Sequence, residues 1–449
     1  MLNDQINCKK LTLNLSTDVV FEHFAHLPHA ILLDSSNAKH VNSRFDIISI
    51  NPKHLLEAKD GHIYLDGLQQ QHTCFAIMKD KLKELSDQKA PFDLPFSGGW
   101  LGYFGYDLGR YIEQLPIHAT KDISLPDMSI GLYLDALIFD NHNHQWYYIS
   151  QPSLDRVSDY LDMLAAKSPT YRTFKLSSKW QSNMTQAQYN TQFEKIHQYL
   201  LSGDCYQINL AQRFSAEFSG EPWLAYKKLR AHNKAPFSAY MNTSAGAILS
   251  VSPERFLLVN DKQVETKPIK GTLPRLADPI EDKQQAERLA SSSKDRAENV
   301  MIVDLLRNDL GKVAKPGTVQ VPSLFAIESF PAVHHLVSTV TCELAEEHCA
   351  VDQLEAAFPG GSITGAPKIR AMQIIEELEP HRRSVYCGSI GYVSACGRMD
   401  TSITIRTLVC CDEKIHCWAG GGIVADSQAE LEYQETYHKV NKILPILDN

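Results

Sequence analysis

The spacing of apolar and polar positions changes several times along the chain. In the first 171 residues, short apolar runs at 30–33, 45–50 and 130–139 predict strands, separated by turn residues and a few helical segments. Residues 95–109 alternate glycine with large aromatic rings, a pattern of closely packed backbone beside bulky side chains. A polar stretch, 168–182, reads as a linker. From residue 185 the pattern becomes denser. A helix is expected over 186–202, strand alternation over 205–216, and strands at 247–252 and 255–260. Helices at 286–310 and 367–378 alternate with β-rich segments at 318–328, 335–344 and 386–393. A strand pair at 402–410 and 414–420 precedes a last helix over 427–444. Hairpins interleaved with helices, rather than regular βαβ units, predict an α+β fold with large antiparallel sheets. The two regions expected are 1–171 and 185–445.

Composition narrows the classes. At 449 residues, the chain is longer than one ordinary core requires. A formal net charge of -9 argues against a general nucleic-acid binder, which needs clustered Lys and Arg for phosphate contacts. The polar N-terminus has no signal-peptide pattern, and no apolar run approaches the roughly 20 residues that cross a bilayer. Ten cysteines are scattered without paired CxxC motifs, which argues against zinc. A chain of this length with scattered thiols reads as cytoplasmic rather than disulfide-stapled.

Candidate chemistry begins with paired acids. Asp295 and Glu298 are three residues apart on one expected helix, and Glu432 and Glu435 repeat that spacing on another, with Lys439 one turn further on. Carboxylates from two helices suit a hard cation such as Mg²⁺; the same acids could equally face solvent. Two glycine-rich turns follow. In Pro359-Gly360-Gly361-Ser362-Ile363-Thr364-Gly365-Ala366-Pro367-Lys368, Pro367 falls at a plausible first helical position, where free backbone N–H groups can bind an anion. Gly420-Gly421-Gly422 after a strand lets a ligand approach the backbone. Both also read as simple tight turns, and the Walker A spacing is absent.

Lys267-Pro268-Ile269-Lys270-Gly271-Thr272 and Ser252-Pro253-Glu254-Arg255-Phe256 are more specific. Together with Asp304-Leu305-Leu306-Arg307-Asn308-Asp309-Leu310, Gly388-Ser389-Ile390-Gly391-Tyr392, Ile405-Arg406-Thr407 and residues 420–424, they resemble the chorismate-utilising enzymes. That family comprises anthranilate, aminodeoxychorismate, isochorismate and salicylate synthases. The resemblance covers essentially the whole chain and implies two large antiparallel sheets packed as a sandwich and flanked by helices. Isochorismate-forming members carry a lysine base where this chain has Gln207, and an amide cannot deprotonate water. Anthranilate synthases read Pro-Ile-Ala-Gly-Thr, whereas the lysine at 270 marks the members that place nitrogen on C4 of chorismate.

The resemblance implies that Lys270 is the nucleophile and Glu254 the general acid. Glu298 and Glu435 would hold Mg²⁺, with Asp295 and Glu432 in support. Arg406 and Lys439 would grip substrate carboxylates, His335 would lie near the ring, and Ser362, Tyr386, Gly421 and Gly422 would complete the substrate site. Near the N-terminus, Leu32-Leu33-Asp34-Ser35, Asn42-Ser43-Arg44-Phe45 and Pro236-Phe237-Ser238 resemble the walls of the family's tryptophan pocket, although relatives carry an aromatic residue where Asn42 stands. No Cys-His-Glu glutaminase segment is present, so ammonia is expected from solution or from a separate glutamine amidotransferase subunit in a heterodimer. Two other readings stay open. One is anthranilate synthesis. The other is a non-catalytic sensor of chorismate or tryptophan, which should lack a catalytic group, yet Glu254, Lys270, Glu298 and Glu435 are all present.

Overall fold

A computed structural model describes residues 5–36, 38, 40–329 and 333–448. Its strands fall into two antiparallel sheets, of thirteen and twelve strands among the described residues. The expected α+β class with large antiparallel sheets is therefore what the chain forms. Both stretches of sequence build both sheets. Ile31–Asp34 pairs with Phe237–Thr243 in the larger sheet, and Gly99–Phe104 pairs with Ser389–Ser394 in the smaller. One apolar core draws on both sheets, with Trp100, Ile130, Ile208, Ile390, Val409 and Trp418 among its members. A second core lies where the larger sheet meets the helices Thr17–Glu22 and Pro222–Asn233, around Phe21, Trp223, Leu249 and Leu408.

Local chemistry sets most element ends. Helix Gln186–Leu201 starts at a capping box, in which Thr185 Oγ1 accepts from the Gln188 N–H while Gln188 Oε1 accepts from the Thr185 N–H. The helix expected over 286–310 is two helices, Pro279–Ser291 and Ser293–Gly311. Ser292 leaves helical geometry at ψ 110° and its hydroxyl accepts from the Asp295 N–H, so a cap interrupts what the periodicity read as continuous. The strand expected over 130–139 likewise divides into Met128–Tyr133 and Asp135–Asp140. Within the polar stretch 168–182, Lys175–Leu176 and Gln181–Ser182 pair onto the long strand Gln207–Ser219, so this segment is pinned to the sheet. Among the described residues, no helix is long and apolar enough to cross a membrane.

One buried ion pair ties together the pieces that carry the site. Arg383, 1% exposed, donates from Nη2 to Glu379 Oε1 at 2.6 Å and from Nε to Glu379 Oε2 at 3.0 Å. The same guanidinium donates to the carbonyls of Ile363 and Asn209, and Glu379 Oε1 also accepts from the Ala211 N–H. It thus joins the glycine-rich turn, strand Gln207–Ser219 and the end of helix Lys368–Leu378. Replacing one partner leaves the other charged, buried and unanswered. Arg383→Met is expected to lower unfolding stability by about 3–5 kcal/mol in denaturant titration, and a loss below about 1 kcal/mol would show that the pair does not hold these elements together.

Candidate active site

Lys270 lies on strand Ile269–Pro274, paired antiparallel with Val333–Glu343. Its amine contacts the carbonyl oxygen of Ser362 at 3.5 Å. Ser362 sits in the short 3₁₀ turn Gly361–Ile363, and its hydroxyl donates to Glu254 Oε1 at 3.4 Å. The three residues meet from three separate parts of the chain, with Ser362 in the middle. Glu254 is buried, and its backbone is held by Ser252 Oγ and by the Ile403 N–H. Burial raises the Glu254 carboxyl to about 7 despite the opposing charges of Lys270, Lys439 and Arg406. Burial acts in the other direction on Lys270, lowering its pKa against the pull of Glu298 and Glu254. The same loss of water therefore favours a protonated acid and a neutral amine side by side.

The acids lie across from this pair. Glu432 and Glu435 are on helix Ala429–Val440, which packs on strand Lys414–Ile423. A Cβ at Gly421 would lie 3.0 Å from Glu432 Oε2, a tight approach, and 3.7 Å from Glu435 Oε1, an ordinary contact, so this strand backbone lies directly against both carboxylates. Glu432 Oε1 accepts from Ser427 Oγ at 2.7 Å, and Glu435 pairs with Lys439 at 2.7 Å. Lys439 also donates to the Gly420 carbonyl at 2.6 Å. Burial raises the pKa of Glu298 and, aided by Glu435, that of Glu432. Burial would raise Glu435 too, but Lys439 beside it prevails and lowers it. Asp295 is in the first turn of Ser293–Gly311 and packs against Gly271, next to Lys270. Among the described residues, no three His, Cys, Asp or Glu side chains converge as a ready metal cage. The donor set on the two helices is nevertheless all carboxylate, the chemistry that suits a hard cation.

The remaining expected residues divide. Arg406, in left-handed backbone at φ 50°, has no carboxylate within ion-pair distance among the described residues. It is open on one side, while the protein packed round the rest of it lowers its pKa. It is thus available to an incoming anion. His335 faces Thr272, with Nδ1 and Oγ1 2.8 Å apart, and burial together with Arg406 lowers its pKa to about 4, keeping the ring neutral. Tyr386 is 3% exposed and stacks parallel to Trp418 with ring centres 6.1 Å apart, within the core. Gly422 is occupied from the side: a Cβ there would lie 2.1 Å from Gln207 Nε2, so the buried Gln207 amide fills the place of a side chain. Pro367 is the residue before helix Lys368–Leu378 rather than its first residue, and Lys368 turns away to pair with Asp309 at 2.6 Å.

A separate cavity of about 370 Å³ contains much of the expected tryptophan pocket. Asn42, Arg44, Phe45, Pro236, Phe237 and Ser238 line it. Ser35 and Ser43 are buried behind that wall, Ser35 hydrogen-bonded through both N–H and hydroxyl to Asp46. Sequence reasoning missed Arg255 here. Its guanidinium pairs with Asp400 at 2.9 Å and donates to Asn42 Oδ1 at 3.1 Å. The available signal was its place in the motif: Arg255 opens strand Arg255–Asn260 directly after Glu254.

With this geometry in view, the comparisons with known proteins agree on the class. The chain belongs to the chorismate binding enzyme family, whose model matches residues 28–445. It is an enzyme of the chorismate-utilising type. Within that class it is similar to aminodeoxychorismate synthase component 1 of Salmonella typhimurium, 52% identical over 98% of each chain. The corresponding protein of Escherichia coli is also 52% identical, over 96% of each. Among solved structures, anthranilate synthase component I from Streptococcus pneumoniae superposes with a TM-score of 0.81 at 32% identity, covering 90% of this chain and 93% of that one.

The shifted Glu254 carboxyl has a thermodynamic consequence. A carboxyl raised in the folded state stabilises the fold at low pH, and this contribution is lost as pH climbs from the unfolded value, 4.5, through about 7. Glu254→Gln has no such charge to bury. Between pH 5 and 8 its stability should therefore gain on that of the parent, by up to about 3 kcal/mol. Parallel stability curves across that range would mean that Glu254 is not held protonated by burial.

Proposed function

We propose that the chain is the chorismate-aminating subunit of aminodeoxychorismate synthase, converting chorismate and ammonia to 4-amino-4-deoxychorismate for 4-aminobenzoate and folate synthesis. The observation that carries the reading is Lys270, an amine lowered by burial and bridged through Ser362 to an acid raised to about 7. An alanine stands at that position in the family members that aminate C2. Similarity to proteins named component 1 supports a second, glutaminase subunit as the ammonia source. The described cysteines are all free thiols, in keeping with a cytoplasmic enzyme.

In this reading, Arg406 and Lys439 bind the substrate carboxylates, and neutral His335 borders the ring. The Lys270 amine adds to C2, the ring double bond shifts, and the C4–O bond breaks. Glu254 gives its proton to the departing hydroxyl, which leaves as water, and the Glu254 carboxylate so formed takes the proton that the Lys270 nitrogen loses. Ammonia then forms a bond to C4, the double bond returns, and the C2–N bond to Lys270 breaks as Glu254 protonates the leaving nitrogen and takes a proton from the new C4 ammonium. The free lysine is restored and the nitrogen stands where the oxygen was. Glu298 and Glu435 would hold Mg²⁺, with Asp295 and Glu432 supporting through water. The ion would supply Lewis-acid neutralisation of the C1 carboxylate. The buried Gln207 amide, unable to take a proton from water, works against hydroxylation at C2. The 370 Å³ cavity would take tryptophan in a structural role, with Arg255 and Asn42 in place of the family's aromatic wall.

Chorismate, Mg²⁺ and ammonium should give 4-amino-4-deoxychorismate on product separation, whereas glutamine alone should give none without an added glutaminase subunit. Lys270→Ala should end C4 amination and leave slow formation of the 2-amino product, because Glu254 still assists hydroxyl departure. Near-normal C4 amination by that variant would overturn the role of Lys270. Glu254→Gln should cost about 10²–10⁴ in rate. For Glu298→Gln, the Mg²⁺ concentration giving half-maximal activity should rise sharply with the fold unchanged; an unaltered Mg²⁺ response removes Glu298 from the metal site.

A further inference from the structure

The strand that carries Lys270 is not regular. Lys270 is paired with Leu336 and Thr272 with His335, so Gly271 has no partner of its own and forms a one-residue bulge. The faces of the sheet make this consequential. Leu336 and His335 are consecutive and belong to opposite faces, whereas Lys270 and Thr272, two apart, would share a face in an unbroken strand. Their contacts follow the split: the Lys270 amine meets Ser362, and the Thr272 hydroxyl meets His335.

Gly271 has φ 74°, backbone that a side chain disfavours. Its surroundings leave no room for one either. A Cβ there would lie 2.8 Å from Asp295 Cγ and 2.8 Å from Leu289 Cδ1, both closer than such contacts allow. Leu289 is 2% exposed near the end of helix Pro279–Ser291. Asp295 is fixed in the next helix, its N–H bonded to the Ser292 cap. The bulge is thus pressed from behind by the break between two helices.

The geometry points to Gly271 as a positioning residue for Lys270: the bulge, backed by Leu289 and Asp295, turns the lysine to the Glu254 side and leaves Thr272 with His335. This rests on the proposed nucleophilic role of Lys270 and adds a structural element that the role requires. The reacting atoms need close alignment, and a displacement of about 1 Å can cost on the order of a hundredfold.

The test compares parent, Gly271→Ala, Lys270→Ala and the double variant Gly271→Ala/Leu289→Ala. Each is mixed with chorismate and Mg²⁺ without ammonia, and the covalent adduct on residue 270 is timed by intact-protein mass spectrometry; chorismate binding and the product ratio with ammonium are measured in parallel. Gly271→Ala should bind chorismate within a few-fold of the parent but form the adduct about a hundredfold more slowly. Its products should shift toward the 2-amino compound, as for Lys270→Ala. A merely structural defect would lower both products together. Removing Leu289 clears one of the two contacts on the added methyl, so the double variant should regain part of the adduct rate, and this comparison remains decisive if Gly271→Ala alone folds poorly. An adduct formed by Gly271→Ala at the parental rate overturns the positioning role alone. Absence of any adduct on the parent overturns both that role and the proposed chemistry of Lys270.

Discussion

Taking a lysine and a glutamate out of water within reach of the same serine is the constraint around which the site is organised. In water the pair would sit as ammonium and carboxylate, the opposite of what the proposed nucleophile and acid need. Burial disfavours both charges, raising Glu254 to about 7 and lowering Lys270. Neither group can answer the other fully, because Ser362 stands between them. The turn that carries Ser362 is in turn held at Ile363 by Arg383, whose own charge is matched by Glu379. A fully paired buried charge thus holds the turn whose serine touches both Lys270 and Glu254.

Element type was largely legible in the sequence because the sheets are built from local apolar alternation. Strand Arg255–Asn260 has the expected ends, and helix Lys368–Leu378 begins one residue late. What periodicity could not see were the interruptions. Ser292 splits a helix because its hydroxyl caps the next turn, and one expected strand over 130–139 breaks between Tyr133 and Asp135. Nor does the sequence reveal that Ile31–Asp34 pairs with a strand some 200 residues later, since pairing partners are chosen by the whole fold.

For the candidate site, motif resemblance singled out Lys270, Glu254 and Ser362, which the fold brings together, and the two acidic helices. Packing was the illegible part. That Gln207 fills the space beside Gly422, and that Lys439 holds Glu435, depend on contacts between segments far apart in the chain. Arg255 illustrates both levels. It lies in a recognisable motif, yet its place in the 370 Å³ cavity follows only from its packing against Asn42 and Asp400. Consecutive residues thus serve two places, Glu254 the candidate active site and Arg255 the cavity, in sheets built jointly by both halves of the chain.

The central claim is that Lys270 carries the substrate covalently between two displacements, and kinetic competence of that species tests it most directly. In a rapid-quench single turnover with chorismate, Mg²⁺ and ammonium, peptide mapping should find on Lys270 a mass equal to chorismate less one water. That species should rise and decay at least as fast as 4-amino-4-deoxychorismate accumulates. Product accumulating ahead of the adduct, or an adduct too slow to account for turnover, would contradict the account.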